Sequence, residues 1–279
     1  MKKIYLLLLS ALSATLSFGQ THSCCSISSS EQFARLSNDP VFTASHLAPI
    51  PFRYVSEKGK MITYKTKDGR DVNAFEVMAD KPTDNCVLMI HEWWGLNGYI
   101  KQEAEKLQKE LGNVNVYALD LYDGKVADNA QDAGRYMGEV KEDRARAIIQ
   151  GAIDRAGKKA KIYTIGWCFG GGWSLQASLM AGKQGRGCVM YYGMPESDLA
   201  KLKKLNADVL GIFAEKDAWI TPAVVATFEK NMKDAGKKIT VKSYDADHAF
   251  ANPSNPKYSK EFAEDAHQRA LAFFREHLK

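Results

Sequence analysis

A cysteine at position 168 stands among small residues in Gly166-Trp167-Cys168-Phe169-Gly170-Gly171-Gly172, directly after the apolar run Ile162-Tyr163-Thr164-Ile165. A strand that turns sharply into a helix needs small neighbours, because the turn is strained and the helix closes tightly on the strand. The central side chain then projects above the sheet at the helix N-terminus, where the positive end of the helix dipole favours a thiolate. The chemistry on offer is nucleophilic attack. The competing reading is a buried cysteine beside a glycine-rich turn that serves packing alone.

A thiol nucleophile needs a base, and the base needs an acid to orient it. Downstream, the apolar run 209–214 leads into Glu215-Lys216-Asp217, and the run 239–244 leads into Asp245-Ala246-Asp247-His248. Both sites follow predicted strands, so Asp217 and His248 are expected on the same sheet edge as Cys168, in the chain order nucleophile, acid, histidine. Glu215, Asp245 and Asp247 compete as the acid; Asp217 fits its loop best. The run 87–90 ends in His91-Glu92-Trp93-Trp94-Gly95. A loop in that place supplies one backbone N–H of an oxyanion hole and the residue after the nucleophile supplies the other, here Trp93 and Phe169. Glu92 is expected to point into the site beside Cys168, and at least one of Trp93 and Trp94 to wall the pocket. His91-Glu92 does not make a zinc motif, since Gly95 stands where the second histidine of H-E-x-x-H belongs. No metal and no cofactor are expected.

The elements that must hold these residues alternate. Residues 60–64 and 72–77 flank Lys67-Asp68-Gly69-Arg70 and read as a hairpin. Strands are predicted at 87–91, 114–119, 161–166, 189–192, 209–214 and 239–244. Helical spacing joins Ile100, Ala104, Leu107 and Leu111, with Gly112 as the stop. A long helical pattern covers 130–156, with a break expected at Gly138 and a stop at Gly157. Thr221-Pro222 starts a helix that ends at Gly236, and Phe262, Ala266, Ala270 and Phe273 mark a last one. This pattern predicts an α/β fold, a mostly parallel sheet with helices on both faces and its ligand at the carboxyl ends of the strands.

The chain has 279 residues, 45% of them apolar and 25% charged, which suits one substantial core. Met1-Lys2-Lys3 precedes an apolar stretch over 4–18, too short to span a bilayer comfortably and patterned as a secretory signal. Cleavage is expected after Gly19, giving a periplasmic or secreted protein; an uncleaved anchor is the alternative. The formal charge of +5 then falls to +3 with the loss of Lys2 and Lys3. Without a dense basic block that balance gives no case for nucleic acid. Lys201, Lys203 and Lys204 read as the solvated face of a short helix. Residues 20–59 show no sustained period and are read as a lead-in, with a short helix near 31–36, ahead of a domain over 60–279. Of five cysteines, Cys86 and Cys188 sit at the start of apolar runs and read as buried strand thiols. Cys24 and Cys25 have no assigned role.

Taken together, His91-Glu92-Trp93-Trp94-Gly95, Asp120-Leu121-Tyr122, the turn around Cys168, Tyr191-Tyr192-Gly193, Asp217 and His248-Ala249-Phe250 resemble the dienelactone hydrolase family, from about Met61 to the C-terminus. The resemblance implies an α/β-hydrolase fold, a Cys168-His248-Asp217 triad and a Glu92 that helps generate the thiolate when substrate binds. It places Trp94, Tyr122, Lys125 and Phe250 at the substrate. The best-known members hold a substrate carboxylate with two arginines; this chain has Asp123-Gly124-Lys125 and Ala251-Asn252-Pro253 instead. Lys125 replaces at most one charge, as a flexible point charge without the bidentate fork. The expected activity is hydrolysis of a small ester, lactone or thioester by a monomer acting on a small molecule, with no stable membrane insertion after cleavage. An exported small-molecule-binding protein on the same fold is the alternative. A thiol-redox role is weaker, since no Cys-x-x-Cys occurs.

Overall fold

The computed structural model describes residues 27–278, so the expected signal segment, its cleavage point after Gly19, Cys24 and Cys25 lie outside the described residues. Strands β1 (Lys60–Lys65) and β2 (Asp71–Val77) form the antiparallel hairpin, with Gly69 at φ 80° in its turn. Next come β3 (Asn85–Ile90), β4 (Asn115–Leu119), β5 (Lys161–Trp167), β6 (Gly185–Tyr191), β7 (Asp208–Ala214) and β8 (Ile239–Tyr244). The sheet runs β1-β2-β4-β3-β5-β6-β7-β8; β2 pairs antiparallel with β4, and every pairing from β4 to β8 is parallel. Every residue of β3 is buried, as expected of an apolar run covered on both faces.

The helices are α1 (Ser29–Ala34), α2 (Pro40–Ser45), α3 (Gly98–Leu111), α4 (Ala130–Glu139), α5 (Glu142–Ala156), α6 (Phe169–Ala181), α7 (Leu199–Leu202), α8 (Pro222–Asp234) and α9 (Lys260–His277). They cover both faces of the sheet, α3 against α9 and α5 against α6. Their ends follow local chemistry. Asn97 caps α3 through the Ile100 N–H and Gly112 closes it at φ 74°; Thr221 caps α8, with Pro222 in its first turn. Lys203 and Lys204 are exposed just beyond α7, whereas Lys201 reaches back to Glu196 at 3.2 Å.

Two local expectations are corrected. The helical pattern over 130–156 breaks at Val140 and Lys141, both extended, and Gly138 stays inside α4. That glycine serves close approach: a Cβ there would lie 2.9 Å from Ser37 Oγ. The lead-in also contains two helices where one was expected. Asp39 accepts from the Val41 and Phe42 N–H groups ahead of Pro40, a complete capping signal. Six residues are too few for a period to register.

Strand order decides where the site lies. The chain leaves β3 for β4 on one side, then returns to β5 on the other side of β3. Carboxyl ends at such a reversal splay apart and leave a crevice. Here the crevice is covered by α1, α2 and the 3-10 turn Arg35–Asn38 between them. Phe33 and Phe42 are buried edge-to-face at 5.8 Å, and the Phe42 ring meets Trp93 at 5.4 Å and Trp219 at 5.0 Å. Burying each phenylalanine contributes about 1.5–3 kcal/mol. Trp219 Nε1 donates to Asp39 at 3.0 Å and Gln176 Nε2 donates to Ser29 at 3.1 Å, fixing the cover to the domain.

Candidate active site

Cys168 occupies the N-cap of α6 with φ 56° and ψ −120°. A non-glycine residue held there stores about 1–3 kcal/mol of strain and needs surroundings that enforce it. The Cys168 N–H donates to Tyr191 O at 3.0 Å, and the Cys168 carbonyl accepts from the Gly171 N–H at 2.9 Å. A Cβ on Gly166 would fall 2.1 Å from Gly170 O, and one on Gly170 would fall 2.3 Å from Ile90 O. The small residues around the cysteine let the helix press directly onto two strands.

His248 follows β8, and its Nε2 lies 3.2 Å from Cys168 Sγ. Its Nδ1 donates to Asp217 Oδ2 at 2.6 Å, while Asp217 Oδ1 accepts from the Trp219 and Ile220 N–H groups, each at 2.9 Å. The backbone thus fixes the carboxylate and the carboxylate fixes the imidazole. All three side chains are buried. Burial pushes the Cys168 thiol up, against the opposing pull of His248 and of the Phe169 N–H. Burial is the largest influence on His248 and would lower it, but the Asp217 and Cys168 charges and the hydrogen bonds to both together outweigh it and raise the imidazole well above its ordinary value. Burial likewise opposes ionisation of Asp217, yet His248 and the two N–H donors hold its carboxyl below the usual range.

The Phe169 N–H, at the start of α6 and without an intrahelical acceptor, is directed at Cys168 Sγ. The Trp93 N–H donates to no other backbone carbonyl among the described residues. Glu92 is buried; Tyr192 donates to its Oε1 at 3.3 Å and Asn252 Nδ2 donates to its Oε2. Asn252 is held in turn, its Oδ1 accepting from the Ser254 N–H at 2.9 Å. Burial pushes the Glu92 carboxyl up to about 7, despite His248 and both donors. His91 is engaged elsewhere, donating from Nδ1 to Glu92 O and accepting the Leu121 N–H at Nε2.

A cavity of about 560 Å³ opens beside Glu92, lined by Trp94, Trp167, Tyr191, Asn252 and His267 among others. Cys168, His248 and Asp217 do not line it, and Glu92 with Asn252 stands between it and the thiol. Trp94 therefore walls a pocket, whereas Trp93 is core, packed against Phe42 and Trp94. Three expected substrate contacts lie elsewhere. Lys125 turns outward: Asp123 at φ 51° and Gly124 at φ 93° reverse the chain, and the ammonium pairs with Glu139 at 2.8 Å on α4. Phe250 is rotated into the core by the turn at Ala249 (φ 60°) and packs on Tyr192 and Tyr244. Tyr122 lies behind the nucleophile turn, its ring on Phe169 at 5.6 Å and its hydroxyl buried without a partner.

His46, at the C-cap of α2, was missed from the sequence. It is buried, its Nδ1 donates to Phe42 O at 2.7 Å, and its Nε2 has no partner. Its ring centroid is 4.4 Å from that of Trp93 and 5.5 Å from that of His248. Burial, followed by the charge on His248, pushes it down to about 3. No motif announces a lone histidine 122 positions before the cysteine it faces.

A family model described as "Dienelactone hydrolase family" matches residues 72–278. Protein usf of Aquifex pyrophilus is 30% identical over 233 residues, covering 79% of this chain and 99% of its own length. A putative carboxymethylenebutenolidase of Aquifex aeolicus is 29% identical over 234 residues, covering 79% of this chain and all of its own. The crystal structure of a putative dienelactone hydrolase from Klebsiella pneumoniae superposes with a TM-score of 0.65 at 23% identity, over 77% of this chain and 99% of that one. At that identity the likeness speaks to the fold alone.

Proposed function

The chain belongs to the dienelactone hydrolase family, and we propose that it hydrolyses a small uncharged ester, lactone or thioester through an acyl-cysteine intermediate on Cys168. The observation that carries this reading is the hydrogen-bonded line from Asp217 through His248 to Cys168, at 2.6 and 3.2 Å. His248 takes the thiol proton as the sulfur attacks the carbonyl carbon, and the N–H groups of Trp93 and Phe169 hold the oxyanion. The imidazolium, stabilised by Asp217, returns that proton to the leaving oxygen or sulfur. Water then enters, gives a proton to His248 and adds to the acyl carbon; the C–S bond breaks, the acid leaves, and His248 returns the proton to the Cys168 sulfur. Glu92, titrating near neutrality at the edge of the cavity, exchanges a proton with the site as substrate arrives.

The lining charges support an uncharged substrate. Lys106 and His267 are the cations among the cavity's described residues, and both are committed: Lys106 to Glu103 at 3.9 Å, His267 to Glu103 at 3.3 Å and Glu110 at 2.6 Å. With Asn252 bound to Glu92 and Lys125 facing outward, no free cation there awaits a carboxylate. The near-complete burial of Cys168 favours a second reading, in which the fold binds a small molecule without turning it over. Turnover of a p-nitrophenyl ester separates the two. Cys168→Ala, folded by circular dichroism, is expected to lose it, and wild-type protein quenched during turnover should carry an acyl adduct on Cys168. Equal turnover by the variant refutes the assignment.

A further inference from the structure

Two histidines face one thiol, and a single S–H proton satisfies only one of them. A ring nitrogen of His46, a ring nitrogen of His248 and Cys168 Sγ lie within 4.8 Å of one another, and all three residues are buried. The Sγ–H is shared with His248 Nε2 at 3.2 Å. His46 Nε2 is left without any donor, and a buried acceptor without a donor is costly. The tautomers are set from behind: His248 Nδ1–H is held by Asp217 and His46 Nδ1–H by the Phe42 carbonyl. A carboxylate or carbonyl on the far nitrogen is the arrangement that orients metal-ligating histidines and raises their basicity.

We propose that Cys168, His248 and His46 form a binding site for a thiophilic d10 cation, with Zn²⁺ the ion the donor set fits. One thiolate and two imidazoles suit zinc and exclude Mg²⁺ or Ca²⁺, which take oxygen ligands. On binding, the Sγ–H proton and the proton that His248 Nε2 carries when charged both leave to solvent. Sulfur and the two Nε2 lone pairs bind the ion, water takes the open position, and no electron is transferred. Tetrahedral bond lengths require the three ligand atoms about 3.4–3.6 Å apart. His46 ends a six-residue helix, so a shift of that short element, on the order of 1 Å, closes the site.

The matched family span begins at residue 72, so His46 comes from a segment outside it. The bound ion would occupy Cys168 and tie that segment down, a reversible block separate from whatever substrate the enzyme takes. The site stands on ligand geometry, and its test does not depend on turnover.

Co²⁺ titrated into metal-free full-length protein is expected to give a near-ultraviolet sulfur-to-cobalt band and tetrahedral visible bands, both lost on adding Zn²⁺. The near-ultraviolet band should vanish in Cys168→Ser. His46→Gln should weaken Zn²⁺ binding, measured by competition with a chromophoric chelator, by on the order of 100-fold. His46→Cys, which keeps a ligand, should bind Zn²⁺ within tenfold of wild type and intensify the charge-transfer band. Absence of the band in wild type overturns the proposal. So does unchanged affinity in His46→Gln, or equal loss in both His46 variants, which would make the ring a packing element.

Discussion

Glu92 gives the sharpest quantitative handle, because its burial should appear in stability as well as in rate. Its carboxyl is pushed from an ordinary 4.5 up to about 7. A folded-state value above the unfolded one means the native protein binds that proton more tightly. The associated stability is whole below pH 4.5, drains away as pH rises from 4.5 to 7, and is gone above 7. A shift of that size corresponds to about 3 kcal/mol. Glu92→Gln removes the titration and keeps the shape. The amide retains one acceptor for two donors, Tyr192 and Asn252, a pH-independent loss of about 1 kcal/mol. The variant should therefore be about 1 kcal/mol less stable than wild type at pH 4.5 and about 2 kcal/mol more stable at pH 8. Urea unfolding of both proteins in matched buffers from pH 4.5 to 8.5 measures the difference, and titrations common to both cancel. A stability difference that stays flat across that range refutes the argument that Glu92 is a desolvated carboxyl.

Two further outcomes test the scaffold. Gly170→Ala drives a Cβ to 2.3 Å from Ile90 O and 2.4 Å from His91 O, both backbone atoms that cannot rotate away. Its unfolding free energy should fall by about 3 kcal/mol or more, read from urea midpoints. Phe42→Ala removes the ring between Trp93 and Trp219, a core loss of about 3–5 kcal/mol in contacts. That loss should fall on the cover rather than on the sheet. Iodoacetamide labelling of Cys168 should accelerate at least tenfold while the main unfolding transition moves little; equal labelling rates would mean that α2 does not guard the thiol.

The residues that lie at ends of strands were legible because their places follow from alternation. Cys168, Asp217 and His248 each stand just past a predicted strand, and a parallel sheet delivers all such positions to one edge. Lys125 and Phe250 were misplaced for a different reason. Their side-chain directions depend on left-handed turns at Asp123-Gly124 and Ala249; the Asp-Gly pair announces a turn but not where Lys125 will point, and alanine does not advertise a positive φ. Asn252 was visible as a departure from the arginine pattern, but its bond to Glu92 belongs to three-dimensional packing. The cover was illegible because its helices are under two turns long and are held by side chains remote in sequence.

That remoteness has a consequence for how the chain assembles. Asp39 meets Trp219 across 180 positions and Ser29 meets Gln176 across 147. Closing loops of that length brings no gain until the distant partners exist, so the earliest described segment can rest on α4 and α6 first but is fully held only once β7 and the loop after it supply Trp219. The first part of the domain to be made is thus among the last to settle. During that interval the thiol at the head of α6 meets whatever oxidants and metal ions surround the nascent protein, and seating the cover ends the exposure.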